Sequence, residues 1–293
     1  MKAPPFDYAR PASLDAVFEL LATHRDSARL LAGGQTLLAT LNMRLSEPAL
    51  LVDINNVDAL KGIAVRGDVL RIGALATHTE IEASDLVAQH VPLFALAAPH
   101  IAHRAIRNRG TLGGSIAYAD PAAEWPACLV ALEGSVVVQG RAGERRIAAG
   151  EFFTDLFTTA LAEGEVIVAC ELPLHAPGDV VWFDELARRH GDYASCGLAL
   201  AARRSAGALT QVRLAFLGIG VTPVRARAAE SALEGMPLNP ALIDAVIATL
   251  TGELNPLADL TNSSAMKRHL AGVLTRRALQ HLLAAAEALP RAA

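Results

Sequence analysis

Cysteine is scarce: the chain of 293 residues holds three, Cys128, Cys170 and Cys196, and no two form a C-x-x-C pair. Three scattered thiols suit a reducing compartment and cannot supply the four thiolates of an iron–sulfur cluster. Charge of one sign is missing as well. Lys and Arg total 26 against 30 Asp and Glu, for a net charge of -4, and no long basic or acidic run stands out, which argues against a nucleic-acid groove or an anionic-membrane patch. No apolar stretch reaches the ~18 residues of a membrane span, and Met1 to Asp7 has no apolar signal core. A cytoplasmic protein is expected.

Motifs are missing too. No G-x-x-x-x-G-K-[ST] is present, so a nucleoside-triphosphatase would lack its lysine, and Gly218-Ile-Gly220-Val-Thr-Pro223 has proline where a dinucleotide fingerprint needs its third glycine. His100 and His103 are three apart but have no His-Glu-x-x-His or cysteine partner, so no metal is assigned. Ser195 and Cys196 follow His190 and Asp192 closely, yet no G-x-S-x-G elbow exists, and neighbours in sequence do not make a triad.

What is present is apolar: 52% of the chain is hydrophobic, enough to fill the cores of two domains. Ser13 predicts a helix N-cap ahead of the apolar face Leu14, Val17, Leu20 and Leu21. Arg29 to Leu31 reads as a buried strand that stops at Ala32-Gly33-Gly34, and a helix begins at Gln35 or Thr36 and runs toward Arg44. Strand, glycine turn and helix N-terminus in that order present free N–H groups to an anion. Leu50 to Ile54 reads as a strand, and Ile63 to Val65 with Val69 to Ile72 as a hairpin about Arg66-Gly67-Asp68. Thr77-His78-Thr79-Glu80 predicts a capping box. Pro92 to Asn108 carries a helical stripe, Phe94, Leu96, Ala97, Ile101 and Ile106, which delivers the chain to a second Gly-Gly loop, Thr111-Leu112-Gly113-Gly114-Ser115.

A single Gly-Gly turn is found wherever φ must be positive. Two of them, each beside hydroxyl or amide side chains, predict two loops facing one bound group, a diphosphate. Asp120 and Glu124 follow the second loop and suit ribose hydroxyls, as acidic residues do in other dinucleotide sites. Val136 to Val138 with Arg145 to Ile147 suggest another hairpin, and Glu165 to Leu172 a strand ended by Pro173. His175 to Asp179 reads as a linker. Beyond it, strands over Val181 to Glu185, Ala194 to Ala202 and Val212 to Ile219 precede two helices, one capped by Asn239 with Pro240 and one from near Ser263 to about Leu289. Arg188 to Tyr193 is either a charged hairpin corner or part of a site.

Ala32 to Leu38, Arg107 to Glu124, Phe152 to Leu161 and Arg188 to Tyr193 together resemble the FAD-binding medium subunit of molybdenum hydroxylases, the family of the carbon monoxide dehydrogenase medium subunit and the xanthine dehydrogenase flavin domain. The resemblance spans nearly the whole chain. It implies an α+β fold: a PCMH (vanillyl-alcohol-oxidase)-type FAD-binding domain over residues 1–175, in subdomains of about 1–55 and 56–175, then a C-terminal domain over 176–293 with a three-stranded antiparallel sheet and helices. It implies that Leu31, Ala32, Gly33, Gly34, Gln35, Thr36 and Leu37, with Gly110, Thr111, Gly113, Gly114 and Ser115, hold the diphosphate and ribityl chain. Ile101 and Ala102 would line the flavin or adenine side, Asp120 and Glu124 would meet the ribose, Val166 and Ile167 would pack on FAD, and Tyr193 would stack near the isoalloxazine with Arg188 nearby. No side chain is assigned as a catalytic acid or base.

It further implies a large molybdenum-binding subunit and a small subunit with two [2Fe–2S] clusters as partners. NAD+, oxygen or a quinone would be the acceptor. Two positions depart from the family: Glu124 stands where aspartate is usual, and Glu185 near a lysine position. A scaffold subunit with degenerate flavin binding, or a stand-alone PCMH-type oxidase, is the alternative.

Overall fold

The computed structural model describes residues 2–287. Ser13 caps the helix Leu14–His24, its Oγ accepting from the Ala16 N–H at 3.3 Å, and the helix buries Val17 and Phe18. These side chains pack on a small parallel sheet of β1 (Asp7–Ala9), β2 (Ala28–Leu31) and β3 (Leu50–Asp53), ordered β1-β3-β2. All four residues of β3 are buried, as expected for a central parallel strand covered on both faces.

The second sheet is antiparallel. The hairpin of β4 (Ile63–Arg66) and β5 (Val69–Gly73) turns at Gly67, where φ is +62°, and a second hairpin joins β6 (Ser135–Gly140) to β7 (Gly143–Ala148). After a small pair, β8 (Phe153–Asp155) and β9 (Thr158–Thr159), comes β10 (Val166–Pro173), which inserts between the hairpins to give the order β4-β5-β10-β6-β7. Leu70, Ile72, Cys170 and Leu172 face a helical layer whose centre is Trp125 stacked on Phe94, ring centroids 4.5 Å apart. Val137, Val166 and Val168 face the other way and share a core with Val17 and Val52 of the first sheet.

At His175–Asp179 the chain turns through Gly178, φ +89°, whose carbonyl accepts from the Arg204 N–H at 2.7 Å. The last sheet is antiparallel in the order β11 (Asp179–Leu186), β12 (Cys196–Ser205), β13 (Ala208–Leu217), β14 (Val224–Arg225). The two-residue β14 makes four strands where the sequence predicts three. Alternation explains the near-continuous apolar composition of β12 and β13: Ala199, Ala215 and Leu217 join the Trp125 core, whereas Leu198, Leu200, Leu214 and Phe216 face the helices Pro240–Glu253 and Ser264–Glu287. This sheet is therefore a wall between two cores. Asn239 and Pro240 open the first of those helices as predicted, with the Leu242 N–H donating to Asn239 Oδ1 at 3.0 Å. Of the last predicted helix, Ala288 and Leu289 lie outside the described residues.

Candidate functional site

The first glycine stretch leaves β2 and turns at Gly34, where φ is +71°. Gly33 is required for a different reason: a Cβ there would stand 2.1 Å from the Arg109 carbonyl oxygen. It is the point where the first stretch meets the backbone of Arg109 and Gly110, which lead directly into the second. The turn is pinned from beneath. Asn55 Nδ2 donates to the Ala32 carbonyl at 2.9 Å, and Asp53 Oδ1 accepts from both the Asn55 N–H and its Nδ2. The Tyr8 hydroxyl donates to the other Asp53 oxygen. Gln35 Nε2 donates to the Gly33 carbonyl at 3.0 Å, and the first helical bond runs from the Leu38 N–H to the Gly34 carbonyl. Among the described residues, the N–H groups of Gly33, Gly34, Gln35, Thr36 and Leu37 donate to nothing. They form a row of free donors at the start of the helix Leu37–Asn42.

The second stretch is not a loop. Thr111 caps the helix Leu112–Tyr118, its Oγ1 accepting from the Gly114 N–H at 3.2 Å, so Gly113 and Gly114 form the first helical turn. Two of its donors are already used: the Leu112 N–H donates to the Ala76 carbonyl and the Gly113 N–H to that of Ala74. Gly113 lies tight on Ala74, Gly114 faces Ala32, and the Thr111 N–H and the Ser115 and Thr36 hydroxyls have no partner among the described residues. The two stretches meet, but unequally. The first brings the row of donors, and the second brings close packing, one free N–H and a hydroxyl.

The predicted helix over Pro92 to Asn108 is broken into Pro92–Ala97, Ala98–His100 and Arg104–Arg107. Pro99 lacks an N–H to continue the ladder, and Ala102 takes a left-handed φ of +43°. Ile101 is buried and Ala102 half-buried in this turn, and a residue that sequence reasoning missed locks it. Arg107, itself buried, donates from Nη1 to the carbonyls of Pro99, Ile101 and Ala102 at 3.4, 3.0 and 3.1 Å, and from Nε to Glu82 at 2.9 Å. Its only signal in the sequence is its place just before Gly110.

His78, in the predicted capping box, is buried below Gly110. Its Nδ1 accepts from Trp125 Nε1 at 3.0 Å, so the neutral ring is required. Burial, aided by the charge of Arg107, lowers its pKa to about 4 from 6.5. Such a group stabilises the fold fully above pH 6.5, and its contribution is lost as pH falls toward 4, on the order of 3 kcal/mol in total. Melting curves between pH 7 and 4 are expected to fall more steeply for the wild type than for His78→Asn, which keeps an acceptor but cannot charge; equal slopes would count against this assignment.

Carboxylates gather beyond the Leu112–Tyr118 helix. Ala119 is left-handed, φ +53°, and Asp120 Oδ1 accepts from the Ala122 N–H at 2.9 Å. Burial raises the Asp120 pKa and pushes Glu124, at the start of the helix Glu124–Ala131, up to about 7. On β11, Glu185 pairs in register with Gly197, and its side chain is only 5% exposed. Burial first, then Glu124 and Asp184, push it up to about 8. Tyr193 is largely exposed, and partial burial, followed by the charges of Asp120, Tyr118 and Glu124, raises its phenol pKa. Arg188 is exposed on the same connection. Val166 and Ile167 are buried at the start of β10 on opposite faces, Val166 in the core shared with β3 and Ile167 in the Trp125 core.

Residues 4–175 match the family model described as the FAD binding domain in molybdopterin dehydrogenase, and residues 182–282 match the CO dehydrogenase flavoprotein C-terminal domain. The nicotine 6-hydroxylase medium subunit of Paenarthrobacter nicotinovorans is 39% identical over 95% of this chain and 98% of its own length. The carbon monoxide dehydrogenase medium chain of Hydrogenophaga pseudoflava is 34% identical over 95% of this chain and 97% of its own. A solved structure of carbon monoxide dehydrogenase from Hydrogenophaga pseudoflava, lacking the Mo-pyranopterin moiety of the molybdenum cofactor, superposes with a TM-score of 0.93 at 36% identity. That match covers 97% of this chain and 99% of that one.

Proposed function

This chain belongs to the family of FAD-binding medium subunits of molybdenum hydroxylases, and from that premise we propose that it is the flavin-bearing electron-transfer subunit of a heteromeric complex. Residues 1–175 form the FAD-binding domain, with subdomains near 1–55 and 56–175, and residues 176–293 the C-terminal domain. Electrons from a substrate oxidised on a large molybdenum-binding subunit pass through two [2Fe–2S] clusters on a small subunit and leave through FAD to NAD+, oxygen or a quinone. We place the complex in the cytoplasm, in keeping with three free and buried thiols. Among the described residues no helix is long and apolar enough to cross a membrane.

The observation that carries the reading is the row of unpaired N–H groups from Gly33 to Leu37 beside the Thr111 cap. Those groups hold a diphosphate by hydrogen bonds to its oxygens, with the Thr36 and Ser115 hydroxyls beside it. Asp120 and Glu124 accept from sugar hydroxyls, Ile101 and Ala102 form one wall, and the exposed Tyr193 ring covers the isoalloxazine. Bound FAD supplies two-electron redox chemistry that one-electron clusters can feed. The chain itself binds, orients and shields, and no side chain here needs to act as acid or base.

The purified chain is expected to show oxidised-flavin absorption that bleaches with dithionite. A folded but colourless protein that takes up no added FAD would remove this reading. It would favour a scaffold subunit instead, for which Glu185, near a position where the family often has lysine, and Glu124, where it usually has aspartate, are the motivating observations.

A further inference from the structure

Lys267 is a buried cation in the first turn of the helix Ser264–Glu287, with a side chain only 8% exposed. Two things count against a lysine there: the helix dipole disfavours positive charge at an N-terminus, and an apolar side chain of similar volume would fill the space without desolvating an ion. A buried cation persists where it is paired and hydrogen-bonded. Lys267 Nζ donates to the Gly218 carbonyl at 2.7 Å and pairs with Asp259 Oδ2 at 2.8 Å.

Both partners lead to the same place. Gly218 follows β13 with a left-handed φ of +78°, and a Cβ there would stand 2.9 Å from the Ala194 carbonyl oxygen and 3.1 Å from that of Ser195, so its backbone lies directly on the base of the β11–β12 connection. The Gly218 N–H donates to the Pro121 carbonyl at 2.8 Å, which ties this junction to the turn beside Asp120. On the other arm, Asp259 Oδ1 accepts from the Thr261 N–H, the Thr261 hydroxyl and the Asn262 N–H at 2.7, 2.8 and 2.8 Å, and Asn262 Nδ2 donates to the Ser195 hydroxyl at 3.1 Å. The Ser195 N–H donates in turn to the Leu186 carbonyl at 2.8 Å, closing the connection at its root. One ammonium thus braces residues 194 and 195 from two directions.

Tyr193 is the next residue out along this connection. Two residues before it, Gly191 lies against the ring of His103, where a Cβ would stand 2.6 Å from Nδ1, so the connection also rests beside the Ala102 turn. Tyr193 is therefore flanked in sequence by two fixed points, and it is itself largely exposed. A ring carried on a fixed base has lost much of its freedom on folding and loses less when a ligand stacks on it.

We propose that Lys267 is a positioning residue for Tyr193: through Gly218 and the Asp259–Asn262 turn it holds the base of the β11–β12 connection against the Pro121 turn, so that the phenol ring is presented at a fixed place for the isoalloxazine to stack on. The proposal rests on the FAD reading above. Lys267 touches no reacting atom, and its effect on the cofactor passes through Tyr193.

The test is the dissociation constant of FAD from the flavin-free full chain, together with the fluorescence of the bound flavin, which a stacked phenol quenches. Tyr193→Ala is expected to weaken binding on the order of tenfold and to brighten the bound flavin. Lys267→Met fills the volume without the charge, and half-exposed Asp259 can turn to water, so the chain should fold. It should bind FAD roughly threefold to tenfold more weakly, again with brighter flavin. In Lys267→Met/Tyr193→Ala the loss should match that of Tyr193→Ala alone, because both changes remove the same contact. Asn262→Ala cuts one arm at the surface without touching the buried charge; it should move both readings the same way by less, and it carries the comparison with Tyr193→Ala if Lys267→Met does not fold. Val246→Ala, in the core beneath the last sheet, should lower the melting temperature and leave both readings unchanged. Losses that multiply in the double variant, or wild-type affinity and fluorescence in the single ones, overturn the inference alone. A wild type that takes up no FAD removes the functional reading and this inference with it.

Discussion

Gly33→Val is expected to yield a folded chain that has lost its flavin. The added Cβ falls 2.1 Å from the Arg109 carbonyl oxygen, 2.8 Å from its carbon and 2.9 Å from Gly110 Cα, all backbone atoms that cannot swing aside. Either the turn lifts off or the Arg109–Gly110 segment retreats, and both outcomes part the free donors of Gly33 to Leu37 from Thr111. Overpacking of this kind costs about 1–3 kcal/mol, which a chain with three apolar cores can survive. The lost donor geometry costs more in binding, since each misaimed N–H leaves a phosphate oxygen without its partner. Flavin content of the fresh protein, read from its visible absorption against protein, should fall at least roughly tenfold, with the circular dichroism of the wild type retained. Gly150→Val is the control, because nothing lies within 4 Å of its Cβ position. Full flavin content in folded Gly33→Val would show that the two stretches need not touch to bind.

Local chemistry was legible and long-range chemistry was not. Ser13, Thr77 with Glu80, and Asn239 with Pro240 each announce a helix start within four residues, and each caps its helix in the structure. The hairpin about Gly67 and the three long strands of the last sheet were likewise readable from alternation and turn residues. The single helix expected over Pro92 to Asn108 failed because its apolar stripe continues through Pro99 and Ala102. The backbone there turns to meet Arg107, and no periodicity encodes that. The strand β14 is two residues long, too short to show alternation. The second glycine stretch reads as a loop by composition, although its threonine, three residues before Gly114, is spaced as an N-cap.

In the candidate site, the free donors of Gly33 to Leu37 follow from a local pattern of strand, glycine and helix start. What surrounds them depends on partners far away in sequence: Gly33 against Arg109, Asn55 on Ala32, Trp125 on His78. Glu185 is a reversed charge in the sequence, yet its burial is set by the register of β11 on β12, the strand against which the helix Glu124–Ala131 packs.

Arg107→Met is expected to destabilise the chain by about 3 kcal/mol, because a buried charge removed from its partners leaves them stranded. Three carbonyls, of Pro99, Ile101 and Ala102, lose their only shared donor, and Glu82 keeps only the weaker contact with Arg104 at 3.5 Å. Methionine fills the volume, so the loss reports polar satisfaction rather than a cavity. For a chain of this length the melting temperature should fall by roughly 6 °C or more. FAD affinity should fall as well, since the carbonyls of Ile101 and Ala102 are both tied down by that side chain. A second signature separates this role from plain packing. The Arg107 charge also depresses the His78 pKa, so its removal moves that pKa back toward 6.5 and makes the variant less acid-labile. The gap in melting temperature between wild type and Arg107→Met should therefore be wider at pH 7.5 than at pH 5. A gap that does not change with pH would mean the two buried groups are uncoupled, and an unchanged melting temperature would mean that the turn at Ala102 holds without its arginine.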